Sequence, residues 1–527
     1  MSFKNAALTT SLIVGLSACQ TPIEADILIE NGSVFIGDDT PAQSLSVAIK
    51  GEEIIYVGKP KDSFKALKKV DASGLYVIPG FIDPHTHSLS ELTHTDAEIR
   101  ENRNYQFQGV TTVINGNDGF GEPDIAAQML HLKTSGIGTN TALFIGHGAL
   151  RKSVMGGEKR APTNAELTEM KSVISEGMEA GALGLSTGLF YAPGSFSDTG
   201  EVIALAQSAA EHGGVYDSHI RDEASYNIGL EAAVDEVIEI AREANIPANI
   251  AHIKALGVDV WGKSDDLIAK IEAARAEGLK VTADQYPWQA SGTRISNALL
   301  PRWVKAGGAE DYMARLDDPL LRERILEETK ENLRKRGGAE AVLITQNNPD
   351  WQNQTLGQLA KKYSMDPVHM ALKIARGGDA RIASFNMNMA DIENFMSQDW
   401  VMTSSDGSTG HPRKYASYPK KYLDYVVDKS IMPEHTFFYR SSGLVADNFN
   451  ICSRGYLKIG YKADIAIIDP DSFGPKADFQ NPTELSEGVS YLYVNGIAAI
   501  ISGEAQIGLP GQVVKRCAAH KKENHAQ

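Results

Sequence analysis

The chain has 527 residues, which is too long for one plain domain and suits a large domain with additions. Its composition, 42% hydrophobic and 22% charged, is that of a globular protein. The net charge of -16 argues against nucleic acid as a partner, because phosphate binding needs a basic surface.

The first residues have the pattern of an export signal. Lys4 precedes an apolar stretch at 6–14, and Leu16-Ser17-Ala18-Cys19 follows. A short basic start, an apolar core and small residues before a cleavage site are typical of secretory signals. Leu-Ser-Ala-Cys resembles the lipobox of bacterial lipoproteins, in which the cysteine is acylated. The prediction is a signal peptide at 1–19 and a lipid anchor on Cys19, at the periplasmic side of a bacterial membrane; an ordinary secretory signal is the alternative.

Two other cysteines, Cys452 and Cys517, follow much later in the chain. In an oxidising compartment they can form a disulfide, provided that their Cα atoms come close enough. The sequence does not indicate this distance, so both the paired and the free state stay open.

Both ends of the mature chain show short strands separated by turn signals. Residues 25–29 and 45–57 alternate in hydrophobicity, and a similar pattern returns at 463–470 and 492–501. We therefore expect one small β-sandwich domain built from both termini. Its predicted parts are 20–74 and 451–515, with a tail at 516–527.

Between the termini, strands alternate with amphipathic helices, which predicts βαβ units and a parallel sheet. Helices are expected at 164–180, with Thr163 as the N-cap, at 231–244 and at 265–277. The nine predicted strands are 75–82, 110–114, 141–145, 182–185, 214–217, 248–251, 280–283, 381–385 and 400–403.

A closed (β/α)8 barrel of the TIM type needs eight strands, so one of the nine is surplus. We assign 381–385 to an insertion, because the gap between it and the preceding strand is far longer than an ordinary βα connection. The prediction is a barrel over 75–450 with a helical insertion after strand seven, at about 289–380. The charged stretch 309–336 fits a lid or side domain.

A buried-strand pattern runs directly into His85 and His87. Residues i and i+2 of a strand point to the same face, so both imidazoles can aim at one metal ion. An isolated pair of this kind is more often two surface or capping histidines. The later strands favour a metal site instead, because their C-terminal ends carry further candidate ligands: His219, His252 and Asp406. These ends meet at one face of a barrel, which predicts a metal site there.

Several motifs resemble the amidohydrolase superfamily and, more narrowly, the D-aminoacylase (N-acyl-D-amino-acid deacylase) family. The resemblance covers nearly the whole mature chain. The motifs are Pro79-Gly80-Phe81-Ile82-Asp83-Pro84-His85-Thr86-His87, Ser186-Thr187-Gly188-Leu189-Phe190-Tyr191-Ala192-Pro193-Gly194, Ser218-His219-Ile220-Arg221-Asp222-Glu223, Asp284-Gln285-Tyr286-Pro287-Trp288 and Ser405-Asp406-Gly407 with His411-Pro412-Arg413.

The resemblance implies two adjacent metal positions, one formed by His85, His87 and Asp406 and the other by His219 and His252. It implies one or two Zn2+ ions, with Mn2+ or Fe2+ as alternatives. The chain departs from the family at the shared ligand, because D-aminoacylases have a cysteine where this chain has Asp118. Other superfamily members use a carbamylated lysine, where this chain has Ser186. Asp118 is interpreted as a replacement ligand; a turn-capping residue is the alternative.

The resemblance also implies a mechanism, in which metal-bound hydroxide attacks the amide carbonyl and Asp406 acts as the acid and base. Lys254, Tyr191 and Tyr286 match family positions that hold the substrate carboxylate. Arg294 is an added cation near the mouth, which either favours an acidic side chain or faces solvent.

The predicted function is that of a metal-dependent hydrolase of N-acyl-D-amino acids or related N-acyl amino acids. Two alternatives remain at this stage. One is another amidohydrolase that acts on cyclic amides or dipeptides, and the other is an inactive periplasmic binding lipoprotein. The expected partners are a small N-acyl amino acid and, through Cys19, a membrane.

Overall fold

A computed structural model describes residues 22–61, 63–346 and 348–517. The predicted signal peptide and the predicted acylation site, Cys19, lie outside the described residues. Within them, none of the helices combines the length and the apolar character needed to cross a bilayer.

Eight parallel strands form the centre of the fold. Each strand pairs with the next one in chain order, and a bridge between Thr86 and Gly407 closes the eighth strand onto the first. The third strand is interrupted only at Phe144, whose N–H donates to the Asn115 carbonyl of strand two. In order, the strands are Phe81–Asp83, Val110–Asn115, Asn140–Leu143 with Ile145–Gly146, Gly184–Gly188, Val215–His219, Ala248–Ile250, Val281–Gln285 and Val401–Thr403. The predicted (β/α)8 barrel is confirmed.

Helices cover the outside of this barrel, and the bounds of the three that were predicted hold to within one residue. Asn164–Ala180 begins at a capping box, in which the Thr163 hydroxyl accepts from the Glu166 N–H and the Glu166 carboxylate accepts from the Thr163 N–H. The remaining barrel-side helices are Leu89–Leu92, Ala97–Arg100, Arg103–Gln106, Ile125–Ser135, His147–Met155, Thr199–Glu211, Leu230–Glu243, Ser264–Ala276, Met389–Ser397, Arg413–Lys421, Tyr422–Asp428 (a π-helix), Glu434–Arg440 and Gly443–Asn448.

Two stacked sheets form the small β domain. One contains Ile23–Glu30, Ser46–Lys50, Glu53–Gly58 and Phe64–Asp71. The other combines both ends of the chain: Ser33–Val34, Gln43–Ser44, Tyr76–Pro79, Ile465–Ile468, Val489–Val494, Ile497–Ile501 and Glu504–Ala505. Apolar side chains of both sheets, including Val47, Ile49, Val77 and Ile467, share one buried core. The predicted sandwich of both termini is therefore present.

The predicted single strand at 75–82 is wrong in one respect, because it is two strands in two domains. Tyr76–Pro79 pairs with Ile465–Ile468 in the sandwich, whereas Phe81–Asp83 pairs with Val110–Asn115 in the barrel. The chain changes sheets at Gly80, where a Cβ atom would lie 2.3 Å from Cγ2 of Thr111. Residues 75–79 thus belong with the β domain rather than with the barrel. Within this apolar run, the Pro79-Gly80 pair is the sequence signal for such a break.

Between barrel strands seven and eight, the insertion forms a layer with its own core. Arg381–Phe385 lies between Ala290–Arg294 and Val342–Gln346 and is antiparallel to both. The insertion therefore includes the strand that was assigned to it, and it ends slightly beyond the predicted bound of about 380. Its helices are Ile295–Leu299, Ala309–Asp317, Arg322–Lys335, Leu356–Lys362 and Pro367–Arg376.

The last described residues return to the barrel. Gly511 and Val513 form bridges with Ile137 and Thr141, beside barrel strand three. The segment ends in a disulfide between Cys452 and Cys517, so the pairing that the sequence left open is present in the structure.

Candidate metal centre

The six predicted ligands meet at the C-terminal end of the barrel. His85 and His87 follow strand one, Asp118 follows strand two, and His219 is the last residue of strand five. His252 and Asp406 follow strands six and eight. All are buried except His87, whose side chain is 26% exposed.

Three of these residues have a backbone conformation that is rare for residues other than glycine. The φ angles of Asp118, His252 and Asp406 are 57°, 38° and 44°, in the left-handed region. Neighbouring polar groups hold each turn, as such strain requires. Asp284 accepts the His252 N–H at 3.1 Å, and the Ser186 hydroxyl accepts the Gly119 N–H at 3.2 Å, beside Asp118.

Asp83 has the same role for the Asp406 turn. Its Oδ1 accepts the Ser405 N–H at 3.1 Å and the His85 N–H at 3.2 Å. One carboxylate thus ties the ligand-bearing ends of strands one and eight together.

Asp118 lies at the centre of the ligand set and is shared by two groups of three. His85, His87 and Asp118 bring ligand atoms within 4.8 Å of one another, and so do Asp118, His219 and His252. Asp118 Oδ1 is 3.3 Å from His85 Nε2 and 3.4 Å from His252 Nε2. Its Oδ2 is 3.4 Å from His87 Nε2. The geometry suits a carboxylate that bridges two metal positions.

Asp406 lies beside the first group. Its Oδ1 is 3.3 Å from His87 Nε2 and 3.8 Å from His85 Nε2. Its Oδ2 pairs with Nη1 of the buried Arg413 at 2.9 Å. Oδ1 therefore faces the histidine ligands, while Arg413 fixes the position of Oδ2.

The electrostatics of these residues favour a positive charge at the site. Burial acts to raise the pKa of Asp118, but the nearby imidazoles of His85, His219 and His252 hold it well below its usual range. Burial acts to lower the pKa of His85, but Asp118 and Asp406 raise it to about 10. In the absence of a metal, protons on histidine thus compensate the carboxylates. A bound cation takes over this role and releases those protons.

The residues present fit a divalent cation. Four imidazoles and two carboxylates are borderline-to-hard donors, as Zn2+, Mn2+ and Fe2+ accept. Neither ring nitrogen of His85 has a hydrogen-bond partner among the described residues, and the same holds for Asp118 Oδ1 and His219 Nε2. Buried polar atoms are normally paired, so these orphaned atoms indicate a missing ligand.

A cavity of about 210 Å³ opens above the ligands. The four predicted substrate-binding residues all line it: Tyr191, Lys254, Tyr286 and Arg294. The Tyr286 hydroxyl is buried and has no partner among the described residues, which suits a group that meets a substrate. The Lys254 ammonium bonds to the Glu223 carboxylate and lies 2.8 Å from His252 Nδ1.

Several residues of the site have no role that the sequence predicted. Glu223 lies inside one of the family-like motifs, and Arg413 closely follows Asp406. Their positions in these motifs were the only sequence signal that could have indicated a role. Arg336 and Arg381 also line the cavity, but the insertion brings them there from far along the chain and no local pattern marks them. His147, which follows barrel strand three, bonds to Glu201 at 2.8 Å and is not among the residues that line the cavity.

Comparison with known proteins points to the same family that the motifs resemble. Residues 68–498 match the profile described as "Amidohydrolase family". The chain is 29% identical to the D-aminoacylase of Alcaligenes xylosoxydans xylosoxydans over 94% of this chain and 98% of that protein. It is 28% identical to the N-acyl-D-glutamate deacylase of the same organism, over 94% and 97%.

Among solved structures, one that superposes well is the N-acyl-D-glutamate deacylase of Bordetella bronchiseptica, complexed with zinc and a phosphonate inhibitor. The TM-score is 0.80 at 28% identity, and the match covers 94% of this chain and 100% of that chain.

Proposed function

Because the chain belongs to the amidohydrolase family, we propose that it is a metal-dependent hydrolase that cleaves the amide bond of N-acyl-D-amino acids. The resemblance to D-aminoacylases that the motifs indicated is confirmed over nearly the full chain. The observation that carries the proposal is the ligand set itself: two groups of three ligands share Asp118 at the base of a cavity that also holds cationic and hydroxyl groups.

In this proposal His85, His87 and Asp118 hold one cation, and Asp118, His219 and His252 hold a second. Zinc is the first candidate, with manganese and iron as alternatives. When bound, such a cation lowers the pKa of a water molecule and polarises a carbonyl oxygen.

Asp406 is the proposed acid and base. Its Oδ1 faces His87 at the base of the cavity, where it can take a proton from the attacking water and pass it to the leaving amine nitrogen. Arg413 holds the other oxygen, which keeps the carboxylate in one orientation. Burial acts to raise the pKa of Asp406, but Arg413 and the histidines hold it well below its usual range, so the group starts as the base.

Lys254, Tyr286 and Tyr191 are proposed to hold the α-carboxylate of the substrate. An ammonium and two hydroxyls supply charge-assisted hydrogen bonds to its oxygens. The unpaired hydroxyl of Tyr286 supports this role.

The insertion contributes one wall of the cavity, and the charges of this wall favour a substrate with an acidic side chain. Arg294 and Arg381 stand directly opposite each other on antiparallel strands, and both line the cavity. Burial and then repulsion by Arg294 and Arg413 lower the pKa of Arg381. Like charges placed across a strand pair destabilise a sheet, whereas an anion between them would remove that cost.

Wild-type protein is therefore expected to hydrolyse N-acyl-D-glutamate faster than N-acyl-D-leucine, and the L-isomers of both much more slowly. Arg381→Met should lower kcat/KM for the D-glutamate substrate by about 10–100-fold, since hydrogen bonds to charged groups contribute about 1.5–3 kcal/mol. Its effect on the D-leucine substrate should be small. Steady-state kinetics on these four substrates measures kcat/KM for each.

Arg242→Met is the matched control, because Arg242 is an exposed arginine on a barrel helix, paired with Glu277. It should leave all four rates unchanged. Hydrolysis of cyclic amides or dipeptides in preference to every N-acyl amino acid would contradict the proposed substrate class. Equal losses for both D-substrates in Arg381→Met would contradict the role of Arg381 alone.

We also propose that the mature protein is a lipoprotein, anchored through Cys19 at the periplasmic side of a bacterial membrane. The sequence Leu16-Ser17-Ala18-Cys19 supports this placement. The disulfide between Cys452 and Cys517 supports it independently, since such bonds persist in oxidising compartments.

Cys19→Ala should release the protein from the membrane or leave the precursor uncleaved, because the acylated thiol is lost. Membrane fractionation and N-terminal sequencing measure both outcomes. Cys517→Ser is the control for cysteine removal as such and should stay with the membrane. Unchanged partitioning and an unchanged N-terminus in Cys19→Ala would refute the anchor.

A further inference from the structure

The first strand of the β domain begins very close to the proposed lipid anchor. Strand Ile23–Glu30 follows directly on Pro22, and Ile23 pairs with Phe64 on the neighbouring edge strand. Pro22 is only three positions after Cys19 in the sequence, and a fully extended chain of three residues spans about 11 Å. If Cys19 carries the lipid, this end of the sheet must lie within about that distance of the bilayer surface, whatever the conformation of the intervening residues.

The outer face of the same sheet carries an apolar cluster that is separate from the sandwich core. Ile29 belongs to the core between the two sheets, whereas Leu28 and Ala48 belong to the separate cluster. Leu28 pairs with Ala48, and Ala48 pairs with Tyr56, so the three lie in one row across the outer face. The half-buried rings of Tyr56 and Phe64 pack against this cluster, with their centroids 5.0 Å apart. The outside of a sandwich normally presents polar side chains instead.

Exposed lysines lie around this aromatic pair. The Lys61 ammonium lies 4.6 Å from the centre of the Tyr56 ring, and the Tyr56 hydroxyl donates to the Lys59 carbonyl at 2.6 Å. The Lys65 ammonium lies 3.9 Å from Glu24, but the two side chains are 76% and 67% exposed. An ion pair so open to water contributes little, so Lys65 can exchange this partner for another anion.

This combination of residues suits the surface of a bilayer. Aromatic rings prefer the level of the headgroups, and lysines near a membrane are attracted to anionic lipids. The stretch 59–69 contains five lysines and one aspartate, although the whole chain has a net charge of -16. The charge of this stretch is therefore complementary to a membrane that contains anionic phospholipids.

We propose that the outer face of this sheet is a docking surface that rests on the anionic phospholipid headgroups of the membrane. The docking surface consists of Tyr56, Lys59, Lys61, Phe64 and Lys65. The lipid on Cys19 attaches the protein to the membrane, and the docking surface fixes its orientation there. The inference rests on the proposed anchoring through Cys19.

Docking in this orientation leaves the cavity open to solvent. Tyr76–Pro79 of the β domain leads into the first residue of barrel strand Phe81–Asp83, whereas His85 and His87 follow the last residue of that strand. The docking surface shares no residue with the lining of the cavity. A docked molecule can therefore take up a water-soluble substrate, and hydrolysis itself does not need the docking surface.

Amine labelling of the acylated mature protein in phospholipid vesicles tests the docking surface. Lys61 and Lys65 should react about fivefold more slowly with a membrane-impermeant reagent in phosphatidylglycerol vesicles than in phosphatidylcholine vesicles, which is the effect expected for one lysine at an anionic surface. The lipid tethers the protein to both kinds of vesicle, so the difference reports docking alone. Lys361 is 84% exposed on a helix of the insertion, and mass spectrometry should show equal labelling of this lysine in both.

A double substitution, Lys59→Gln with Lys61→Gln, connects this protection to the proposed surface. It should abolish most of the protection of Lys65 in phosphatidylglycerol vesicles. The matched control is Lys361→Gln with Lys362→Gln, which removes two exposed lysines of the insertion and should leave Lys65 protected. Lysines that only discourage pairing at the edge of the sheet predict equal labelling of Lys65 in both kinds of vesicle, and that result would overturn the proposal.

Failure of the anchor has a different signature from failure of the docking surface. A protein without a lipid on Cys19 does not stay with either kind of vesicle in high salt, because salt screens the attraction of the lysines. A protein that is anchored but does not dock stays with both kinds of vesicle and shows no difference in labelling.

Discussion

Asp406→Asn is expected to lower kcat by about 10²–10⁴-fold, the range that a general acid–base group contributes. Asparagine keeps the size of the side chain and one acceptor oxygen beside His87, but it cannot take up a proton. The fold and the metal bound by His85, His87 and Asp118 should remain. Kinetics on the best N-acyl-D-amino acid, with elemental analysis of the same sample, measures both.

The same substitution leaves Arg413 buried without its partner, and breaking a buried ion pair typically costs about 3–5 kcal/mol. A lower melting temperature is therefore expected, and kcat must be measured well below it. Asp391→Asn serves as the control, since Asp391 is a buried aspartate that accepts the backbone N–H groups of Gly262 and Ser264 and is absent from the residues that line the cavity. It should lose stability but keep kcat. Near-wild-type kcat in Asp406→Asn would exclude the acid–base role.

That the candidate ligands lie close together could be predicted from the sequence, because one periodicity and one rule of topology place them. His85 and His87 share a face since strand side chains alternate, and the other ligands follow strands whose C-terminal ends must meet once the barrel closes. The first rule is local, and the second depends only on the topology of the barrel. They need no knowledge of side-chain packing.

The residues that were missed depend on contacts that no local rule describes. Glu223 contacts His252 because the loop after barrel strand five brings its carboxylate to 3.1 Å from His252 Nδ1. Arg381 meets Arg294 only through the register of the insertion sheet. The Cys452–Cys517 pairing likewise depends on the distance between remote segments. Such distances follow from packing, which hydrophobic pattern and motif spacing do not specify.

Asp118 is the position where substitution should affect the metal most. It contributes to both ligand groups, with Oδ1 toward His85, His219 and His252 and Oδ2 toward His87. Asp118→Ala should therefore lower metal content and activity together. Asp124→Ala is the control: Asp124 caps a nearby helix by accepting the Ala127 N–H at 2.9 Å, so its loss should cost stability but no metal.

The chemistry of the carboxylate also affects which metals the site accepts. A carboxylate oxygen is a harder donor than a thiolate and discriminates less between zinc, manganese and iron. Wild-type protein loaded from an equimolar mixture of the three should thus hold a measurable share of manganese or iron, whereas Asp118→Cys should select zinc more strongly. Elemental analysis of both proteins after identical loading reports the shift without reference to turnover. Equal metal content and equal kcat in wild type and Asp118→Ala would show that Asp118 only shapes its turn, and the two histidine pairs would then need a different bridging group.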